Sequence, residues 1–171
     1  MRERKTVVTM KGSPLTLVGK GVKVGDTAPD FEVVANDLSA VRLSSFRGKV
    51  CLILSVPSLD TGVCDLQTRK FNEQAKALGS NVVVLTISMD LPFAQKRWCG
   101  AAGVENVQTL SDHRKAEFGN AFGVLIKELR LLARAVFVVD TKGIVRYMQI
   151  VDELTNEPDY GAALEAVKKL R

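Results

Sequence analysis

Apolar residues come along this chain in short blocks, and the spacing inside the blocks changes from one to the next. Residues 49–55 are apolar on both alternating faces, with Val50, Leu52 and Leu54 on one and Cys51 and Ile53 on the other. A strand of that kind belongs at the centre of a sheet covered by helices. Residues 81–89 form a second such run. Between the two, Val63, Leu66, Phe71, Ala75 and Leu78 recur at intervals near three and four, which predicts a helix with those residues inward. Arg69, Lys70, Asn72, Glu73 and Lys76 take its solvent side, and Gly79 is placed to cap its C-terminus. Strand, helix and strand in that order predict a right-handed crossover and parallel pairing.

The remaining blocks fill in around this unit. Residues 6–10 and 15–18 are β-type runs split by Lys11, Gly12, Ser13 and Pro14, an N-terminal hairpin. The glycine-rich stretch 19–29 reads as loop. Residues 31–35 and 41–43 read as short strands, and residues 44–48 as a single helical turn. Pro92 stands where a helix starts, with helix expected over 93–99, a brief strand over 107–110 and helix over 114–122 ended by Gly123. Residues 127–133 read as loop or a short turn. Residues 135–139 and 144–151 predict a hairpin about Asp140, Thr141, Lys142 and Gly143. Pro158 opens a last helix with Tyr160, Ala163, Leu164, Val167 and Leu170 on its apolar face. The layout is α/β, a mixed sheet with helices on both faces, expected as one domain over 1–171 with residues 1–18 as an extension.

Composition narrows the function classes. The chain has 171 residues, 46% hydrophobic and 25% charged, with a formal net charge of +5. Its basic residues are spread out, densest over residues 1–5, without the aromatic-interleaved stripe of a nucleic-acid surface. No apolar run reaches the 18 or so residues that cross a membrane. Residues 1–5 are not followed by the apolar core of a signal peptide, so a cytoplasmic protein is expected. Cys51, Cys64 and Cys99 are too few for a disulfide scaffold and contain no Cys-x-x-Cys, and His113 is the only histidine. No metal, nucleotide or other cofactor is expected. His113 is expected at the surface or at a helix cap, and Cys51 as a small buried hydrophobe.

The candidate chemistry sits where the first central strand meets its helix. The chain turns at Pro57 and starts a helix near Asp60 or Thr61, which puts Cys64 in the first turn. Unpaired amides and the positive end of the helix dipole favour a thiolate there. Thr61 lies three residues back, close enough for its hydroxyl to reach the sulfur. The spacing Pro57, Thr61, Cys64 resembles the peroxidatic motif of the peroxiredoxins. The stretch from Asp90 to Cys99 is similar to the resolving-cysteine segment of their bacterial thiol peroxidase branch. The stretches from Leu132 to Ala135 and from Asp152 to Tyr160 also resemble that branch. Two departures stand out: the segment between Val124 and Leu132 looks short, and Cys51 has no role in the family pattern.

The resemblance implies a thioredoxin-like fold and a peroxidase that reduces hydrogen peroxide and organic hydroperoxides. It implies that Cys64 is the peroxidatic cysteine and Cys99 the resolving one, joined in a Cys64–Cys99 disulfide. Thr61 and Arg134 hold the peroxide oxygens, and Pro57 shields the sulfur. It further implies re-reduction by thioredoxin and a homodimer. The thiolate is the nucleophile, and the ordinary cysteine pKa of about 8.5 leaves only a few per cent of it at neutral pH. Leu59, Val63 and Phe93 would offer apolar surroundings for an alkyl hydroperoxide. A disulfide needs Cα atoms within about 7 Å, so one of the two cysteine segments is expected to unwind, eased by Gly62 and Gly100. Two other functions remain open on the residues alone: a general thiol–disulfide oxidoreductase, and a redox sensor that passes oxidation to a partner.

Overall fold

A computed structural model describes residues 2–170; Met1, in the basic N-terminal cluster, and Arg171 lie outside the described residues. In chain order the elements are β1 (Glu3–Met10), β2 (Ser13–Val18), β3 (Glu32–Val34), β4 (Ala40–Arg42), β5 (Val50–Ser55), α1 (Gly62–Ala75), β6 (Val82–Ser88), α2 (Pro92–Ala102), β7 (Gln108–Ser111), α3 (Glu117–Phe122), β8 (Leu125–Ile126), β9 (Leu131–Leu132), β10 (Ala135–Val139), β11 (Val145–Ile150) and α4 (Tyr160–Lys168). Seven strands form one mixed sheet in the order β11-β10-β5-β6-β7-β3-β4, and β1-β2-β8-β9 form a second, smaller sheet. The central pair β5 and β6 is parallel, as the crossover pattern predicts, and β10 runs antiparallel on the other side of β5.

Period-two alternation along β5 sorts the core into two layers. Val50, Leu52 and Leu54 pack with Val84, Val136 and Val138 against Phe71 of α1 and Val167 of α4. Cys51 and Ile53 face the other way, toward Phe118 and Phe122 of α3 and toward Leu17 and Ile126 of the small sheet. Phe31, Phe118, Phe122 and Phe137 meet there ring to ring, at centroid separations of 4.8–6.2 Å. Burying both faces of β5 fixes its end, and so the place where the chain turns toward Cys64.

Three elements differ from the sequence expectation. The expected loop over 127–133 contains β9, whose Leu131 and Leu132 pair with Ile126 and Leu125 across a short turn. The segment between Val124 and Leu132 therefore contains a small hairpin. The expected helix over 114–122 begins only at Glu117, because Ala116 adopts a left-handed conformation (φ 52°). Asp112 explains the delay: its carboxylate accepts from the amides of Phe118 (3.1 Å) and Gly119 (2.8 Å), capping the helix from outside. In α2, Cys99 does not end the helix, which runs on to Ala102, with Gly103 as a left-handed cap whose amide donates to Cys99 O.

Burial raises the Asp112 carboxyl to about 6, which sets its desolvation against the two amide bonds it receives. Asp112→Ala should lower the unfolding free energy by roughly 1–3 kcal/mol, the cost of orphaning buried amides, as measured by denaturant melts.

Candidate active site

Thr61 is extended (φ −95°, ψ 148°) and its carbonyl accepts from Asp65 N at 2.9 Å, so Gly62 is the first helical residue of α1 and Cys64 the third. The amides of that first turn have no partner within the helix. The loop leading in is held by Asp90, two residues past the end of β6: its carboxylate accepts from Ser58 Oγ (2.7 Å) and Leu59 N (2.9 Å). Pro57 is buried under the same turn.

Arg134 comes from the stretch between β9 and β10, seventy residues later, and meets Cys64 directly. Its Nη2 donates to Cys64 Sγ at 3.2 Å. The same guanidinium donates to Leu154 O through Nε (3.1 Å) and Nη2 (2.8 Å), and through Nη1 to Gln67 Oε1 (3.0 Å). Arg134 is only 2% exposed. These bonds go to a carbonyl, an amide oxygen and a sulfur. Of the three, only the sulfur belongs to an ionisable group; the Glu157 carboxyl also feels the Arg134 charge, though Lys70 and Tyr160 are the groups that donate to it.

Gln67 is the residue that the sequence pattern concealed. The expected apolar face of α1 ran through Val63 and Leu66, yet Leu66 is 42% exposed, and the buried stripe is Cys64, Gln67, Thr68 and Phe71. The helix is rolled so that its polar Gln67 and Thr68 turn inward, Thr68 Oγ1 bonding back to Cys64 O at 2.9 Å. Two buried polar residues at positions three and four after the cysteine were the available signal. Gln67 Nε2 is buried without a hydrogen-bond partner among the described residues.

The N-terminal hairpin supports the arginine from behind. Thr9 N donates to Asp152 O (2.7 Å) and Leu154 N to Thr9 O (2.9 Å), which pins the carbonyl that Arg134 uses. Glu153 completes the clamp, accepting from Gly12 N (2.9 Å), Thr9 Oγ1 (3.0 Å) and Thr155 N (2.9 Å). The amide of Thr155, then that of Gly12, pulls its carboxyl down to about 2.

Other predicted site residues fall differently. The Thr61 hydroxyl donates to Ser58 O at 3.0 Å and not to the sulfur, because the turn brings that carbonyl closer. Cys64 is fully buried against Val56, Leu59 and Trp98, where a reactive thiol would ordinarily be part-exposed. Beside it lies a largely apolar pocket of about 420 Å³ with Pro57, Thr61, Gly62, Val63 and Arg134 on its wall. Phe93 is 66% exposed and does not line that pocket. Cys99 is half-buried, shares a hydrogen bond with Thr109 Oγ1 (3.3 Å), and opens on a different pocket of about 630 Å³. All three cysteines are free, and burial pushes the Cys51 thiol up to about 11, which keeps it protonated and inert.

Known proteins resemble this chain along nearly its whole length. The family profile described as Redoxin matches residues 23–164. The chain belongs to the redoxin family. It is 62% identical to a thiol peroxidase of Halalkalibacterium halodurans, over 94% of this chain and 96% of that protein. It is 60% identical to a thiol peroxidase of Bacillus subtilis, over 95% and 97%. Among solved structures, the peroxiredoxin-like protein from Aquifex aeolicus is 46% identical and superposes with a TM-score of 0.90, covering 96% of each chain. The fold is thus the thioredoxin-like one of the peroxiredoxins, and the chain is a peroxiredoxin-type, thiol-dependent peroxidase.

The Glu153 clamp has a pH signature. A carboxyl held below its unfolded range stabilises the folded state at neutral pH, and the contribution is lost as pH falls from about 4.5 toward 2. Glu153→Gln should remove that part of the acid dependence of thermal unfolding and speed amide exchange at Gly12 and Thr155, the two amides that donate to the carboxylate, at neutral pH. Unchanged exchange at both amides would contradict the clamp.

Proposed function

We propose that this chain reduces hydrogen peroxide and organic hydroperoxides with Cys64 as the peroxidatic and Cys99 as the resolving cysteine. The observation that carries the reading is the Arg134 Nη2 to Cys64 Sγ contact in the first turn of α1. The Cys64 thiolate attacks the distal peroxide oxygen in line. The O–O bond breaks, the leaving oxygen takes the peroxide's own proton and departs as water or an alcohol, and the Cys64 sulfenate left behind takes up a proton from solvent to become the sulfenic acid. The Arg134 guanidinium sits where negative charge spreads from sulfur to the leaving oxygen, which is stabilisation aimed at the transition state. The Thr61 hydroxyl rotates from Ser58 O to the peroxide, and Pro57 keeps water from the sulfur. The apolar wall given by Met10, Val63 and Leu131 suits the carbon chain of an organic hydroperoxide.

Cys64 being fully buried, peroxide reaches it only as the first turn of α1 yields at the pocket beside Thr61. The Cys99 thiol then condenses with the sulfenic acid, releasing water and forming the Cys64–Cys99 disulfide. Because Cys64 is fully buried and Cys99 lines a pocket other than the one beside Thr61, that step requires one segment to unwind. Gly62 and Gly100 favour it: both are exposed, and an added Cβ would meet nothing within 4 Å, so packing does not demand glycine at either. In a helix each costs about 1 kcal/mol relative to alanine. Thioredoxin is the proposed reductant, the assembly a homodimer, the location the cytoplasm, and residues 1–171 act as one thioredoxin-fold unit.

Cys64→Ser should abolish peroxide consumption, and Cys99→Ser should complete one turnover and stall with Cys64 as a sulfenic acid. Multi-turnover activity in Cys64→Ser would reject the assignment. Non-reducing mass spectrometry after one equivalent of peroxide should find an internal bridge between residues 64 and 99. A mixed disulfide with a second protein would favour the redox-sensor reading instead.

A further inference from the structure

A second set of contacts, between α1 and α2, plays no part in the chemistry proposed above, yet it joins the two cysteine segments. Trp98, the neighbour of Cys99, packs against Val56, Leu59 and Cys64. Its indole Nε1 donates to Asp65 Oδ1 at 2.7 Å, and Asp65 is the neighbour of Cys64. The other oxygen of that carboxylate accepts from Arg69 Nε at 2.8 Å. The Arg69 guanidinium lies 5.9 Å from the centre of the Trp98 ring and donates through Nη1 to Ala102 O at 3.3 Å, at the end of α2. One carboxylate and one guanidinium thus tie the start of α1 to the last turns of α2. The Cys99 thiol is meanwhile engaged with Thr109, whose hydroxyl in turn donates to Asn36 Oδ1 at 3.1 Å.

We propose that Asp65, Arg69 and Trp98 are positioning residues that clamp the helix of Cys99 against the turn of Cys64, and that release of this clamp decides how the sulfenic acid is consumed. The proposal rests on the reading of Cys64 and Cys99 as a redox pair. Two reactions compete for the Cys64 sulfenic acid. Condensation with the Cys99 thiol forms the S–S bond and expels the sulfenic oxygen as water. A second hydroperoxide instead transfers an oxygen atom, giving the sulfinic acid and leaving as water or an alcohol. The first is internal and waits on the clamp. The second rises in proportion to peroxide. Clamp strength therefore sets the peroxide concentration at which over-oxidation overtakes disulfide formation.

The parts of the clamp are unequal. The Asp65–Arg69 ion pair is part-exposed, with its side chains 33% and 46% accessible, and such pairs are weak alone. The indole bond is charge-assisted, and Trp98 has no second polar group to satisfy. Removing the carboxylate should therefore matter more than removing its charge alone.

The test mixes the reduced full-length chain with graded hydrogen peroxide, quenches with an alkylating reagent, and measures disulfide and sulfinic forms by mass. Trp98 is the single tryptophan, so its fluorescence follows the same step in the Asp65 variants. Asp65→Ala should form the disulfide about tenfold faster, the factor that about 1.4 kcal/mol of lost hydrogen bonding supplies. It should also need more peroxide to reach the sulfinic acid. Asp65→Asn keeps an oxygen for the indole and loses the ion pair, and should fall between. An equal or slower disulfide rate in folded Asp65→Ala, with an unchanged sulfinic threshold, overturns the clamp. If that variant fails to fold, Asp65→Asn and Arg69→Met decide by the same criterion. A wild-type chain that never forms the 64–99 bridge overturns the redox-pair reading itself, and a bridge formed at one rate in all variants overturns only the clamp.

Discussion

A buried guanidinium with no carboxylate among its hydrogen-bond partners in the described residues is the constraint around which the chain is built. Burying Arg134 is costly unless charge and hydrogen bonds compensate. The fold supplies hydrogen bonds from Leu154 O and Gln67 Oε1, neither of which is charged, and leaves the sulfur of Cys64 as the remaining partner. A lysine there would present a point charge on a flexible stem and could not bridge three acceptors from one plane. The contact links two segments that are seventy positions apart, so it exists only when the β5–α1 junction and the β9–β10 junction are both in place.

That requirement accounts for features which look peripheral in isolation. The N-terminal hairpin packs on the core through Leu15 and Leu17, and it also pins the Asp152–Thr155 segment whose carbonyl receives Arg134. The short β8–β9 hairpin brings the chain into Arg134 at a fixed angle. Asp90 holds the entry to α1 through Ser58 and Leu59. Each holds a backbone group still so that one side chain can be still. Gly62 acts in the opposite sense, marking a stretch where helix stability is low enough to permit movement, and the Asp65–Arg69–Trp98 contacts hold that stretch until they release.

Much of this was legible in the sequence because two signals coincide at β5. Its two-sided apolar run locates a central strand, and Pro57, Thr61 and Cys64 follow at once. The parallel β5–β6 pair, the late hairpin and the last helix follow from periodicity alone. Periodicity failed where polar residues do inward work. Leu66 looked like core and is exposed, while Gln67 looked like surface and is buried against Arg134. It failed again at residues 114–116, where helical composition gives way to a cap from Asp112, a residue outside the expected helix. The Leu131–Leu132 strand is too short for any pattern to reveal. The departure of the Thr61 hydroxyl toward Ser58 depends on where one carbonyl points, which spacing does not encode.

The account stands on the Arg134 guanidinium acting on the Cys64 sulfur. The most direct measurement is the second-order rate of a single peroxide turnover, followed by rapid mixing, in Arg134→Lys against the unmodified chain. A fall of about 100- to 1000-fold, as for loss of a transition-state donor, with thermal unfolding still cooperative, is the predicted result. A folded Arg134→Lys chain that reacts with peroxide at the original rate would contradict it.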